Sequence, residues 1–353
     1  MAMSFVHKAA AVALLLASSA AAQTYTSCNP TTNSSCPSDT GLSSSTYSVD
    51  FTQGADDDAW TVTAGSVSYT SSGAEFTISE KGDAPTIETS WYFFFGRAEV
   101  HMRAATGTGI VSSVVLESDD LDEVDWEWLG GYPDEVQTDY FGKGNTTSYD
   151  RGGTTNVTDT QSTTHNYTID WTSEAIVWYV DGTAVRTLNY DDALDGKNYP
   201  QTPMRLILGI WAGGDSDNAE GTITWAGGET DYDDGPFTMT VESVSIYNAN
   251  PASSYTYGDE TGDWTSIKID SSDDTDSSSS TSDSASASSA SSATTTTTSS
   301  GNSTTGSDGT SAAASSTGTS VASVSASGYV KEPSLGVSLV GMASVALMVL
   351  AYV

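Results

Sequence analysis

The sequence predicts an all-β fold, a sandwich or barrel, on three observations. Short runs rich in β-branched and aromatic residues recur between Gly and Asp turns. The runs follow one another closely, as the strands of a packed antiparallel sheet do. The same region lacks any convincing stretch with the 3.6-residue period of an amphipathic helix. The runs are 74–79 (AEFTIS), 96–103 (GRAEVHMR), 109–116 (GIVSSVVL), 166–171 (NYTIDW), 175–181 (AIVWYVD), 204–211 (MRLILGIW) and 237–247 (FTMTVESVSIY). Asp181-Gly182 separates two of them and reads as a tight hairpin turn, because Asp-Gly accepts the positive φ angles such a turn needs.

The folded part is expected at residues 23–268, a length one sandwich or barrel accommodates. Residues 269–327 are dominated by Ser, Thr, Ala and Gly and cannot bury enough apolar surface to offset the entropy of ordering. They read as a disordered, O-glycosylated stalk. Residues 1–22 carry a short basic start, an apolar run at 9–17 and a small-residue end, which is the pattern of a secretory signal peptide cut near Ala22. Residues 328–353 end in a long apolar stretch without basic residues after it, preceded by a polar spacer and the small residues Ser325, Ala326 and Ser327. That pattern predicts a glycosylphosphatidylinositol (GPI) anchor signal, with Ser325 as the attachment residue and a tail that is removed. A spanning helix is the alternative, and the missing cytoplasmic Lys or Arg speaks against it.

The chain of 353 residues has 46 acidic and 11 basic side chains, a formal charge of −35. Phosphate binding needs a basic patch, so nucleic acid is excluded as a partner. Cys28 and Cys36 are the only cysteines, and in an exported protein they are expected to pair as a local staple. Asn33, Asn145, Asn156, Asn166 and Asn302 head N-glycosylation sequons. The runs Asp56-Asp57-Asp58 and 231–234 (DYDD) read as solvated turns, with hard-cation binding as the alternative. No metal or cofactor is expected. His165 reads as structural, and Arg97 and Arg103 as partners of acidic neighbours on their strand. Trp and Tyr exceed what a core of this size needs, which suggests a groove where rings stack on sugars.

The segment 122–131 (DEVDWEWLGG) is the densest in chemistry. On a strand, Glu123, Asp125 and Glu127 share one face and Val124, Trp126 and Trp128 the other. The apolar set fits a core, so the acids must face a solvated cleft, since burying three adjacent charges is prohibitive. Glu123 and Glu127 lie about 13 Å apart at Cα, and inward-leaning side chains bring the carboxyls within about 5–6 Å. Retaining glycosidases need about 5–5.5 Å between nucleophile and acid/base. An acidic edge strand or a calcium site is the competing reading of the same residues.

EVDWE resembles the E-[ILV]-D-x-E signature of glycoside hydrolase family 16, β-jelly-roll enzymes acting on β-glucans and related polysaccharides. The segments 95–103, 107–115, 165–171, 177–182 and 200–211 resemble family strands in the family's order. GTITWAGG at 221–228 and the N-terminal CNP…C segment resemble the fungal Crh-type branch, GPI-anchored cell-wall transglycosylases that join chitin to β-glucan. The resemblance spans roughly residues 25–255. It implies a β-jelly-roll sandwich of two antiparallel sheets with a substrate cleft. It also implies Glu123 as nucleophile, Asp125 as auxiliary carboxylate and Glu127 as acid/base, a polarity that spacing alone leaves open. Tyr140, Phe141, Trp211 and Trp225 are the substrate-binding candidates, the last two read as ending apolar strands.

The expected function is retaining transfer from a chitin donor to β-glucan or chitin, with water as acceptor in an endo-β-glucanase or chitinase as one alternative. A non-catalytic carbohydrate-binding wall mannoprotein is the other. The enzyme is expected outside the cell, at the plasma membrane through its GPI anchor or in the wall, and as a monomer.

Overall fold

Alternate burial along the strands is what assembles this protein, a computed structural model in which residues 26–147 and 151–271 are described. The expected leader, the stalk beyond residue 271, Asn302, Ser325 and the anchor signal lie outside the described residues. The strand Gly96–Arg103 shows the pattern most plainly: Ala98, Val100 and Met102 are buried, and Arg97, Glu99, His101 and Arg103 turn outward. A period of two with one apolar set gives a sheet with one face on the core.

Two antiparallel sheets result. The first has seven strands in the order Gly153–Asn156, Glu135–Phe141, Glu123–Leu129, Ile110–Ser118, Met204–Ala212, Thr86–Thr89, Trp60–Ala64. The second has eight: Thr183–Asn189, Ala175–Val180, His165–Trp171, Gly96–Arg103, Phe237–Asn248, Gly73–Ile78 and Val67–Thr70 in order, with Thr46–Asp50 also paired to Phe237–Asn248. The long strand Phe237–Asn248 takes both partners on one edge, with a bulge between Val241 and Ser243. The two sheets close over one apolar core to which both contribute, among them Trp126 and Trp128 from the first and Tyr167, Trp171 and Trp178 from the second. This is the expected β-jelly-roll sandwich. The hairpin at Asp181-Gly182 is present between Ala175–Val180 and Thr183–Asn189, with φ of 50° and 76° at the two turn residues.

The strand Glu123–Leu129 is fixed from the core side. Val124 and Trp126 are fully buried and Trp128 is 1% exposed. The two indoles stack at 6.2 Å, and Tyr167 of the facing sheet meets them edge-on at 5.5 and 4.5 Å. Each such large apolar side chain stabilises the fold by about 1.5–3 kcal/mol. Trp178, also on the facing sheet, donates its indole N–H to the Asp125 carbonyl at 3.1 Å, which ties the two layers together at the middle of the strand.

A small third sheet, Asp39–Thr40, Ser254–Tyr257 and Ile267–Asp270, carries the fold past the expected boundary at residue 268. It meets the body at a buried polar cluster. Asp120 accepts hydrogen bonds from Ser118, Thr202 and Tyr257. Asp122 accepts from the backbone N–H of Lys143 (2.9 Å) and Gln201 (2.7 Å) and from the Thr202 hydroxyl (2.9 Å). Asp122 therefore holds the loops on either side of the strand that begins at Glu123, a structural duty unlike that of the three acids after it. The disulfide Cys28–Cys36 spans 5.7 Å between Cα atoms in the N-terminal loop. Asn33 and Asn156 are exposed, whereas Asn145 and Asn166 are half-buried, and the Asn166 amide donates to Glu99 at 3.0 Å.

Burial pushes Asp39 up to about 8, helped by the Asp119 charge, and burial with the Asp120 charge pushes Asp122 up to about 7. Both lie above the ordinary 3.8, so the folded state holds protons that the unfolded chain has released. The stability these protons confer is complete below about pH 4 and is lost as pH rises through about 7 and 8. The thermal unfolding midpoint is accordingly expected to fall between about pH 5 and about pH 8.5, and to fall less steeply in Asp39→Asn. A midpoint that climbs across this range contradicts the assignment.

Candidate active site

The register of three neighbouring strands builds the site. Glu123 pairs with Glu117 on one side and Phe141 on the other, Asp125 with Val115 and Asp139, and Glu127 with Ser113 and Gln137. Residues directly opposite on an antiparallel ladder share a face. Glu123, Asp125 and Glu127 therefore stand in a row beside Phe141, Asp139 and Gln137, opposite the face that carries Trp126 and Trp128. Glu123 and Glu127 are half-buried, so both have access to solvent, while Asp125 between them is only 2% exposed. The expectation of a solvated cleft thus holds for the outer pair and not for the middle acid.

The surroundings separate the three acids. Burial raises Asp125 well above the usual carboxylate range, and the charges of Glu123 and Glu127 add to it. Its hydrogen bond with Glu123 raises Asp125 and lowers Glu123, which is the signature of a proton held on Asp125 and donated to Glu123. Burial raises Glu123, the Asp125 hydrogen bond and the Arg151 charge draw it back, Asp139 pushes it up, and it rests at about 7. Burial, then the charges of Asp139 and Glu123, bring Glu127 to about 8. The Asp125 hydrogen bond lowers Glu123 and no such bond lowers Glu127, which is the direction that a nucleophile at Glu123 and an acid at Glu127 require.

Past Glu127, on the same face, lies a second small apolar cluster of Val111, Leu129 and Ala226, with Trp211 and Trp225 packed on it. The two indoles stack at 6.1 Å with 27° between planes, and Trp225 donates its N–H to Gln137 Oε1 at 3.0 Å. Gln137 is the cross-strand partner of Glu127, so the aromatic pair is tethered to the acid row. Trp211 does end a strand, Met204–Ala212. Trp225 does not: it ends the short helix Glu220–Trp225, contrary to the strand its β-branched neighbours suggest. Two terminal hydrogen bonds, Gly227 N–H to Thr224 O and Gly228 N–H to Ile223 O, close this helix with φ of 97° at Gly227. The glycines that follow Trp225 decide the local fold.

Phe141 stands on the acid face beside Glu123, as a substrate-contacting ring must. Tyr140 does not. It pairs with Val124, points into the core with it, is 7% exposed and lies under the Arg186 guanidinium at 5.6 Å. One residue along a strand is enough to reverse a side chain. His165 bonds Asp181 at 2.7 Å and the Thr158 carbonyl at 3.0 Å, a structural role, and Arg97 pairs with Glu99 at 2.8 Å. Among the described residues no group of His, Cys, Asp or Glu is arranged to hold a metal ion.

Three site residues escaped the sequence reading. Asp139 sits opposite Asp125, Gln137 opposite Glu127, and Arg151 is 6% exposed with its guanidinium 4.7 Å over the Phe141 ring. The signal for the first two was the alternation in Glu135–Phe141, which places Gln137, Asp139 and Phe141 on one side once its register to Glu123–Leu129 is known.

The sequence profile of glycosyl hydrolases family 16 matches residues 54–227. Crh-like protein 5 of Aspergillus fumigatus is 57% identical over 272 residues, which cover 77% of this chain and 68% of that protein. A solved structure of apo Crh5 transglycosylase is 61% identical with a TM-score of 0.67, covering 69% of this chain and all of that one. The same enzyme in complex with NAG gives 62% and 0.67, over the same shares of both chains.

Asp139 raises both outer acids by like-charge repulsion. Asp139→Asn is therefore expected to lower the proton affinities of Glu123 and Glu127, by roughly 0.5–1 pH unit each, read from carbon-13 shifts of the labelled carboxyls. Unmoved titrations would remove Asp139 from the electrostatics of the row.

Proposed function

The chain belongs to glycosyl hydrolases family 16, among its Crh-like members, and from that premise we propose a retaining transglycosylase that cuts chitin and joins it to β-glucan. The observation that carries the proposal is the row Glu123, Asp125, Glu127 on one strand face, with a buried Asp125 between two half-buried glutamates, set beside a stacked tryptophan pair.

Glu123 attacks the anomeric carbon of the donor while Glu127 gives its proton to the departing glycosidic oxygen. The carbon–oxygen bond breaks and a glycosyl ester of Glu123 forms. Asp125, holding a proton, keeps Glu123 oriented through their hydrogen bond. Glu127 is now a carboxylate and takes the proton of an acceptor hydroxyl. The hydroxyl oxygen attacks the anomeric carbon and expels Glu123, so two inversions give retention. No cofactor enters this sequence.

The leaving oxygen departs beside Glu127, and the acceptor must arrive where it left. Trp211 and Trp225 flank that end, and their faces suit a sugar ring. Phe141 flanks the Glu123 end, where the donor sugar is held. The NAG complex solved for Crh5 supports a cleft that takes N-acetylglucosamine; chitin as donor and β-glucan as acceptor rest on the likeness to the Crh-type branch. A leader at residues 1–22 and an anchor at Ser325 fit an enzyme exported to the surface and held where the wall is assembled.

Incubation with chitin oligosaccharides and a fluorescent β-1,3-glucan oligosaccharide is expected to yield longer labelled products. New reducing ends without labelled product would instead mean that water is the acceptor. Glu123→Gln is expected to lower kcat on the order of 10³-fold or more, and Glu127→Gln about 10²–10⁴-fold. Activity needs Glu123 ionised and Glu127 protonated, so kcat/KM should be bell-shaped, falling below about pH 7 and above about pH 8. Product formation at wild-type rates in both Gln variants would leave the carboxylates without a catalytic role.

A further inference from the structure

Beyond Glu127 the acid row runs on into aromatic side chains, and the last of them is exposed. Glu123, Asp125, Glu127 and Leu129 alternate onto one face, and Leu129 belongs to the apolar seat of Trp211 and Trp225. The chain then turns: the Tyr132 N–H donates to the Leu129 carbonyl and the Gly130 N–H to the Ile110 carbonyl, both at 2.8 Å. Gly130 lets the turn close on the neighbouring loop, since a β-carbon there would run into the Gly107 carbonyl oxygen. The turn so fixed carries Tyr132 to the end of the helix Glu220–Trp225. A β-carbon built on Gly227 would stand 3.1 Å from Tyr132 Cε2 and 3.8 Å from its Cζ and hydroxyl. Gly227 lies just past Trp225 and helps to close that helix. Tyr132 is nevertheless 45% exposed. Single exposed rings are common on protein surfaces and assign nothing by themselves. This one leans on the turn that ends the tryptophan helix, at the outer end of the platform.

We propose that Tyr132 forms a further acceptor subsite, so that the enzyme prefers β-linked acceptor chains long enough to run from Glu127 past Trp211 and Trp225 to Tyr132. This rests on the transfer mechanism proposed above and deepens it by setting the length of acceptor that the cleft selects. The order along the groove follows from the chain. Leu129 comes after Glu127 and seats the tryptophan pair, and Tyr132 lies past both, on the side away from Glu123. A tyrosine suits the position: its ring covers the apolar face of a pyranose, and the hydroxyl at its tip stays in water. The ring is also rigid, so little conformational freedom is lost when a sugar settles on it. Glu229 and Asp231, exposed just past Gly227 and Gly228, disfavour an anionic chain and leave a neutral, hydroxyl-rich one as the occupant.

The test is a competition between two acceptors in one mixture. The donor is an aryl β-glycoside of chitobiose, whose small leaving group departs before the acceptors bind. Unlabelled β-1,3-glucan disaccharide and pentasaccharide then compete for the chitobiosyl group. The ratio of the two products, read by mass, is the ratio of the acceptor kcat/KM values and does not depend on how much enzyme is active. The wild type is expected to favour the pentasaccharide. Tyr132→Ala should lower that preference about three- to tenfold, the loss of one stacked ring. Tyr132→Phe keeps the face and should retain most of the preference. A structural role for Tyr132 slows transfer to both acceptors alike, so an unchanged ratio in Tyr132→Ala overturns the proposal, as does a wild type without preference. Loss of the preference in Tyr132→Phe as complete as in Tyr132→Ala overturns the stacking on which it stands. Failure of the transfer mechanism itself looks different: the wild type then turns the donor into hydrolysis products alone with either acceptor, and the subsite falls with it.

Discussion

Burial of Val124, Trp126 and Trp128 commits Glu123, Asp125 and Glu127 to the opposite face of the same strand. The core holds these three side chains through stacking, edge-on contact with Tyr167 and the tie from Trp178 to the Asp125 carbonyl. Slipping the strand by one residue would place three carboxyls among indoles and three apolar side chains in the groove, a change that costs both ways. The register of the acids is therefore as secure as the core itself. Asp122 adds the last restraint, because it clamps the loops that flank the first acid.

That security has an electrostatic cost. Asp139 joins the three acids on their face, and like charges in a half-buried groove cannot all ionise at neutral pH. The row shares protons instead, and the question becomes which carboxyl keeps one. Asp125, the deepest, holds its proton most firmly, and this suits a group whose use is to donate a hydrogen bond to Glu123. The remaining asymmetry, between Glu123 and Glu127, starts within the strand, because the Asp125 hydrogen bond lowers Glu123 and nothing equivalent lowers Glu127.

Features with a local cause were legible in the sequence. The period of two in EVDWEWL separates acids from apolar residues without knowledge of any neighbour, and Asp181-Gly182 announces its turn. Features that depend on register were not. Tyr140 and Phe141 are equally aromatic and adjacent, and only the pairing of Phe141 with Glu123 and of Tyr140 with Val124 sends one to the groove and the other to the core. Asp139 and Gln137 belong to the site for the same reason. Trp225 shows a different limit: Thr222, Ile223 and Thr224 favour a strand by propensity, but Gly227 and Gly228 close a helix and the apolar cluster under Trp225 holds it. Tertiary contacts override a weak local preference in a segment of six residues.

On the transfer reading, the carboxylates do not decide between sugar and water, because either hydroxyl can hand its proton to Glu127. The choice lies in how long an acceptor is held against the ester. An oriented hydroxyl can reach effective molarities of about 10⁵–10⁸ M, far beyond what bulk water offers as a nucleophile. The tryptophan pair supplies both halves of that advantage. On that reading its faces bind a sugar, and its seat on the buried Val111, Leu129 and Ala226 is apolar. The hydrogen bond from Trp225 to Gln137 then matters beyond packing, since Gln137 is registered opposite Glu127. It fixes the acceptor platform relative to the base that must deprotonate the acceptor. On the proposed mechanism, the partition between transfer and hydrolysis rests with the helix Glu220–Trp225 and its tether, and the rate of bond cleavage with the strand Glu123–Leu129.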